Sequence, residues 1–197
     1  PLATFPIQAA SGVNKLFLVS NLPFLASTAG ESVALQQVAM PHFEKLLAAE
    51  NQKLLYITSW PSAGIWSKEP LTQPESFSGA RVRTNDPIAT TMLQSVGGSP
   101  VQISWGDVVP QLQANAIEMV HTSNAGGVLG KLWEYLPHYT DMGWVLSLNV
   151  TTMNLDAYNA LTADERNAID AAAAETQTWT RDRLVDEYGL ARREYRL

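Results

Sequence analysis

Apolar residues along the chain alternate or recur at helical spacing in short runs, a pattern of strands interleaved with helices. Lys15–Ser20 (KLFLVS) reads as a short apolar strand closed by Asn21-Leu22-Pro23. From Gly30 to Glu50, Val33, Leu35, Val38, Ala39, Phe43, Leu46 and Leu47 follow helical spacing, and Pro41 inside that pattern predicts a kink or a break. Lys53–Ser59 (KLLYITS), β-branched and aromatic, reads as a buried strand, with Ile65–Ser67 a short strand after the Pro61–Gly64 turn. Lys68–Gly79 is polar and proline-bearing, a surface connection.

A compact strand–helix rhythm then begins. Arg81–Thr84 reads as a strand, and Asp86 is placed to cap a helix from Pro87 to about Val96, which Gly97-Gly98 stops. Val101–Ser104 and Ala116–His121 are further strands, separated by a short helix over Asp107–Gln113. Thr122–Gly127 is a small-residue turn, Lys131–Tyr135 is helical or nearly so, and Met142–Met153 is long and β-rich. Thr162 and Glu165 form a capping box that opens the clearest helix in the chain, with Ile169, Ala172, Ala173, Thr176, Trp179, Leu184 and Tyr188 as its apolar stripe. Strands alternating with helices imply an α/β fold with a largely parallel sheet.

Composition narrows the function. Of 197 residues, 46% are hydrophobic and 16% charged, enough apolar material for a sizeable core. A formal net charge of −6 argues against a nucleic-acid partner, whose binding depends on basic surface. It also means that an anion must be recognised locally, by one or two placed cations. Cysteine is absent, which removes disulfides, thiolate metal sites and cysteine nucleophiles. No stretch approaches the roughly 20 apolar residues of a membrane span, so no direct membrane insertion is expected. Pro1–Gln8 lacks a basic n-region, so no signal peptide is read there.

Three segments in order resemble the DctP-type solute-binding proteins of TRAP (tripartite ATP-independent periplasmic) transporters. The first is Trp66-Ser67-Lys68-Glu69-Pro70-Leu71, then Phe77-Ser78-Gly79-Ala80-Arg81-Val82-Arg83. The second is Gly97-Gly98-Ser99-Pro100-Val101, then Trp105-Gly106-Asp107-Val108 and Leu112-Gln113. The third is Ala116-Ile117-Glu118, Thr122-Ser123 and Trp133-Glu134. The resemblance covers roughly Leu16 to Asp170, so the chain begins and stops inside the family's pattern. It implies a two-lobed periplasmic-binding-protein-like α/β fold, mostly parallel sheets, a hinge and a long C-terminal helix. The lobes then divide as 1–82, the remainder of the first; 83–152, the second; and 153–197, a helix on both. It also implies a periplasmic location, capture of a small organic acid, delivery to TRAP-type permease subunits, and no catalysis. Glu118-Met119 replaces the family's usual Asp-Gly, and Ser62 or Ala63 stands where sialic-acid binders carry a second arginine, which argues against a sugar acid.

Arg83 is the leading site residue. A guanidinium fork pairs both oxygens of a carboxylate, and a strand's carboxyl end is where α/β sheets expose ligand sites. By the resemblance it holds the position of the family's carboxylate-binding arginine; from spacing alone a surface ion pair with Asp86 or Glu75 is the favoured reading. Trp60, Trp66 and Trp105 suit the walls of a site for a planar acid, or ordinary core packing. Thr122 and Ser123 match the family's polar ligand contact and also fit helix capping. Asn85 and Asn149 are further polar candidates. These readings point to an aromatic, 2-keto or 2-hydroxy acid, with no cofactor or metal; Glu118 alone is a weak case for a cation. His121, beside Thr122, lacks the G-x-S-x-G elbow of a hydrolase. Two alternatives stay open: a cytoplasmic sensor domain of a regulator, and an α/β hydrolase-like enzyme working through His121 and Asp107.

Overall fold

Residues 2–194 are described by a computed structural model, with side chains to residue 183. Two sheets form, joined by the chain passing twice between them. In order the elements are β1 (Leu2–Pro6), α1 (Ala29–Ala49), β2 (Gln52–Ser59), β3 (Ala63–Ser67), β4 (Arg81–Thr84), α2 (Pro87–Ser95), β5 (Ser99–Gln102), α3 (Val108–Gln113), β6 (Met119–Ser123), α4 (Asn124–Leu129), β7 (His138–Asp141), β8 (Leu148–Asn154), α5 (Leu155–Asn159) and α6 (Ala163–Glu194).

The first sheet runs β1-β8-β2, with both pairs antiparallel: Leu2 lies opposite Met153 and Gln52 opposite Asn154. The second runs β5-β4-β6-β3-β7. There β4 is parallel to β5 and β6, while β3 is antiparallel to β6 and β7. The α/β architecture and the long last helix stand as expected, but the first sheet is antiparallel and the second mixed, so the sheets are not mostly parallel. Parallel pairing needs a crossover segment between strands, which α2 and α3 supply for β4, β5 and β6. The chain changes sheets through residues 60–62 and 142–147, whereas the boundaries expected at 82/83 and 152/153 fall inside β4 and β8.

Each sheet builds its own core. Ile7, Phe17, Phe43, Leu47, Ile57 and Val150 pack between the first sheet and α1. On the second, alternation along β3 sends Ile65 to one face, with Val82, Leu93 and Trp144, and Trp66 to the other, with Val120, Leu112 and Leu136. All of β3 is buried, as befits a strand with both faces covered.

Lys15–Asn21 is a 3-10 helix and not the expected strand. Asn14 caps it by accepting from the Leu16 amide at 2.8 Å, and Phe17 and Ser20, three apart, face inward. A short apolar run carries no period that separates the two. α1 continues unbroken through Pro41, opened by a Thr28–Glu31 capping box. In α6 the Thr162–Glu165 box forms as expected, but the inward face carries Ala173 and Gln177, while Trp179 is exposed beneath Arg183. The side chains of Leu184 and Tyr188 lie outside the described residues.

Two polar side chains tie elements together. Gln177 on α6 reaches the outer edge of β2, where its Oε1 accepts from the Ile57 amide at 2.8 Å and its Nε2 donates to the Ile57 carbonyl. Asp86, 2% exposed, accepts from the Ile88 and Ala89 amides at 2.9 Å and from Asn21 Nδ2 at 3.0 Å. It therefore caps α2 and anchors the segment leading out of the first sheet. Asp86→Ala is expected to cost about 2–4 kcal/mol, from a lost cap and an orphaned buried Asn21 amide. Urea denaturation measures this, and a loss below about 1 kcal/mol would show that Asn21 re-pairs or that α2 needs no cap.

Candidate functional site

A cavity of about 550 Å³ lies between the two sheets. Its second-sheet wall comes from the carboxyl ends of the parallel strands: Arg83 and Asn85 at β4, Gln102–Ser104 at β5, and His121–Ser123 at β6. Parallel strands commonly open ligand sites at this end. The first sheet supplies Pro6 at the end of β1, Gln8 and Ala9 after it, Trp60 and Pro61 after β2, and Ser147 before β8.

Arg83 anchors the wall. Alternation places Val82 in the core and Arg83 toward the cavity, where it is only 5% exposed. Its Nε donates to the Ile103 carbonyl at 3.0 Å and its Nη1 to the His121 carbonyl at 3.1 Å. The guanidinium carbon sits 5.4 Å from the centre of the Trp105 ring, cation over π face. Among the described residues no carboxylate forms an ion pair with it. Arg81 is the residue that makes the surface pair, with Glu118 at 3.2 Å. Asp86 acts on Arg83 only at a distance, its carboxylate being spent on α2 and Asn21. Burial lowers the Arg83 pKa to about 10, with Asp86 opposing the shift, so the group remains cationic at neutral pH.

Trp60 and Trp105 line the cavity and keep 36% and 43% of their surface exposed. Trp66 does not join them. It is 2% exposed in the second-sheet core, donates from Nε1 to the Ser123 carbonyl at 3.3 Å, and packs on Gly127 so closely that a β-carbon there would overlap the indole. Thr122 and Ser123 both line the cavity, and Ser123 Oγ also caps α4 by accepting from the Gly126 amide at 3.0 Å. Asn85 lines it too, its Oδ1 buried without a partner. Asn149 lies within β8, opposite Pro6 and Thr58, and is not part of the wall. Glu118 is held by Arg81 on the surface.

Two buried polar wall residues were not among the expected site. Gln8, 6% exposed, arrives only because β1 pairs with β8, a pairing no local pattern announces. His121 is 3% exposed and its ring stacks on Trp144 at 4.5 Å. Burial, then the nearby Arg83 charge, push its pKa down to about 3, so the imidazole is neutral. Its place beside Thr122 and Ser123 at a strand end was the available signal. No Asp or Glu lines the cavity, and Arg83 is its one cationic side chain among the described residues.

An antiparallel sheet and a mixed sheet flank a cavity whose wall holds a buried arginine with no ion-pair partner among the described residues, and together they define a two-lobed α/β architecture. The chain belongs to the bacterial extracellular solute-binding proteins, family 7 (DctP), whose pattern matches residues 3–192. It is 27% identical over 134 residues to the ectoine-binding periplasmic protein TeaA of Halomonas elongata, a match spanning 66% of this chain and 39% of TeaA. A Bordetella pertussis extracytoplasmic solute receptor binding pyroglutamic acid, DctP6, superposes with a TM-score of 0.91 at 23% identity, over 98% of this chain and 64% of that one. A marine metagenome TRAP solute-binding protein in complex with co-purified pyroglutamate does so at 0.91 and 26% identity, with the same coverage. The chain thus spans less than two thirds of the length of these relatives. The resemblance to DctP-type receptors of TRAP transport is borne out, and the family is one of receptors.

Proposed function

We propose that the chain is the binding region of a periplasmic receptor that captures a small monocarboxylic acid and passes it to TRAP-type permease subunits. The observation that carries this reading is Arg83: a buried cation with main-chain partners, a cavity in front of it and no carboxylate paired with it among the described residues. A buried unpaired charge is costly, and a ligand carboxylate relieves that cost. One cation without acidic neighbours suits a monoanion better than a dicarboxylate or a zwitterion. Trp60 and Trp105 favour a planar or cyclic body, such as an aromatic 2-keto or 2-hydroxy acid, or the pyroglutamate bound by two relatives. We assign no catalytic role, because His121 has neither a nucleophile to activate nor a carboxylate to orient it.

A thermal-shift screen tests this. Pyroglutamate, aromatic 2-keto and 2-hydroxy acids, dicarboxylates and sugar acids are each paired with the neutral amide. A ligand at 100 times its Kd adds about 2.7 kcal/mol of stability. One class of monocarboxylate is expected to raise Tm, with its amides inert. Equal shifts from acids and amides would sink the arginine reading.

A further inference from the structure

The arginine does not account for the rest of the wall. His121 is buried against Trp144, yet neither Nδ1 nor Nε2 has a hydrogen-bond partner. Arg83 engages only its main-chain carbonyl. The same wall holds two more buried acceptors without partners, Oδ1 of Asn85 and Oε1 of Gln8. The three side chains come from β6, the end of β4 and the turn after β1, so no single local distortion explains them. Native proteins rarely leave buried polar atoms unpaired. Of the five described residues that do so here, three line this one cavity, while Asn149 and Arg181 lie away from it, and a ligand in the cavity can supply the missing groups. A neutral imidazole offers one donor and one acceptor, and the two amide oxygens offer acceptors. The complement is an N–H or O–H that carries no charge. An ammonium would find no carboxylate here, and a second carboxylate would face those acceptors.

We infer that His121, with Asn85 and Gln8, forms a neutral hydrogen-bonding subsite beside Arg83 that selects acids carrying an uncharged N–H or O–H donor on their body. This rests on the carboxylate reading above. The test uses isothermal titration of the full chain with two matched series. Mandelate (donor) is set against phenylglyoxylate (acceptor only) and phenylacetate (neither), and a lactam acid against cyclopentanecarboxylate.

In at least one series the donor-bearing acid is expected to bind about tenfold or more tightly than its counterparts. His121→Phe, which keeps a ring against Trp144, is expected to bring that ratio below about threefold while sparing the donor-free acid. Should the variant fail to fold, Asn85→Ala and imidazole ¹⁵N resonances of the wild type decide. The His121 signals are expected to move with the donor-bearing acid and stay still with its counterpart. A wild-type ratio near one, a ratio unchanged by the substitution, or a silent His121 overturns the inference. If acids bind through Arg83 without regard to the donor, the subsite alone fails. If no acid binds, the carboxylate reading fails and the subsite with it.

Discussion

Arg83→Ala is expected to lower affinity for the preferred carboxylate at least about a hundredfold while the protein stays folded. Each charge-assisted hydrogen bond to a carboxylate contributes roughly 1.5–3 kcal/mol net, and a fork offers two. Two Arg83 donors are held by the Ile103 and His121 carbonyls, which fix the plane of the guanidinium, while no hydrogen bond engages Nη2 among the described residues. Lysine reproduces the charge but not the fork, so Arg83→Lys should fall between wild type and alanine. The alanine variant loses two buried hydrogen bonds and also a buried charge, terms of opposite sign, so its Tm should move far less than its affinity. Titration calorimetry beside a thermal melt separates the two. An affinity within threefold of wild type would remove Arg83 from the site.

The second large effect concerns acid. The His121 pKa is lowered from 6.5 to about 3, because the ring is buried and, secondarily, because the Arg83 charge acts on it. Between those values the unfolded chain binds a proton that the folded chain refuses, so stability falls as pH drops. The loss runs at up to about 1.4 kcal/mol per pH unit through that window, several kcal/mol in all. Glu31, Glu118 and Glu165, whose pKa values are lowered by hydrogen bonds, shift stability in the same direction as pH falls through theirs, but they are unchanged in His121→Phe. The difference between the two proteins therefore isolates the histidine. His121→Phe should show a flatter acid limb in urea midpoints measured from pH 7 to pH 4. Parallel limbs would mean that water or a rearrangement solvates the ring.

Much of the second sheet was legible because its signals are local. Asp86 followed by Pro87 caps and opens α2, Gly97-Gly98 ends it, and Arg81–Thr84 is a strand as read. The order Arg83, Trp105, Thr122-Ser123 placed those residues at adjacent strand ends, and the cavity unites them. What failed was non-local. β1 and β7 have no strong pattern of their own and exist through pairing with β8 and β3. Met142–Met153 is β-rich throughout, yet 142–147 is the passage between sheets and only Leu148–Asn154 pairs. Trp66 and Trp105 are alike in sequence terms, but strand parity sends the first into a core and the second stands on an open turn. Asn149 and Gln8 differ in the same way. Only the assembled first sheet decides which of them reaches the wall.

The grip of Gln177 on both main-chain groups of Ile57 has a consequence for motion. The Ile57 amide sits in a strand, yet it donates to a side chain of α6 and not to a neighbouring strand. Its exchange with solvent is therefore governed by detachment of the helix, an opening that need not break the pairing of β2 with β8. Slow hydrogen exchange there would time the docking of the long helix, while neighbouring amides that pair with β8 time the sheet.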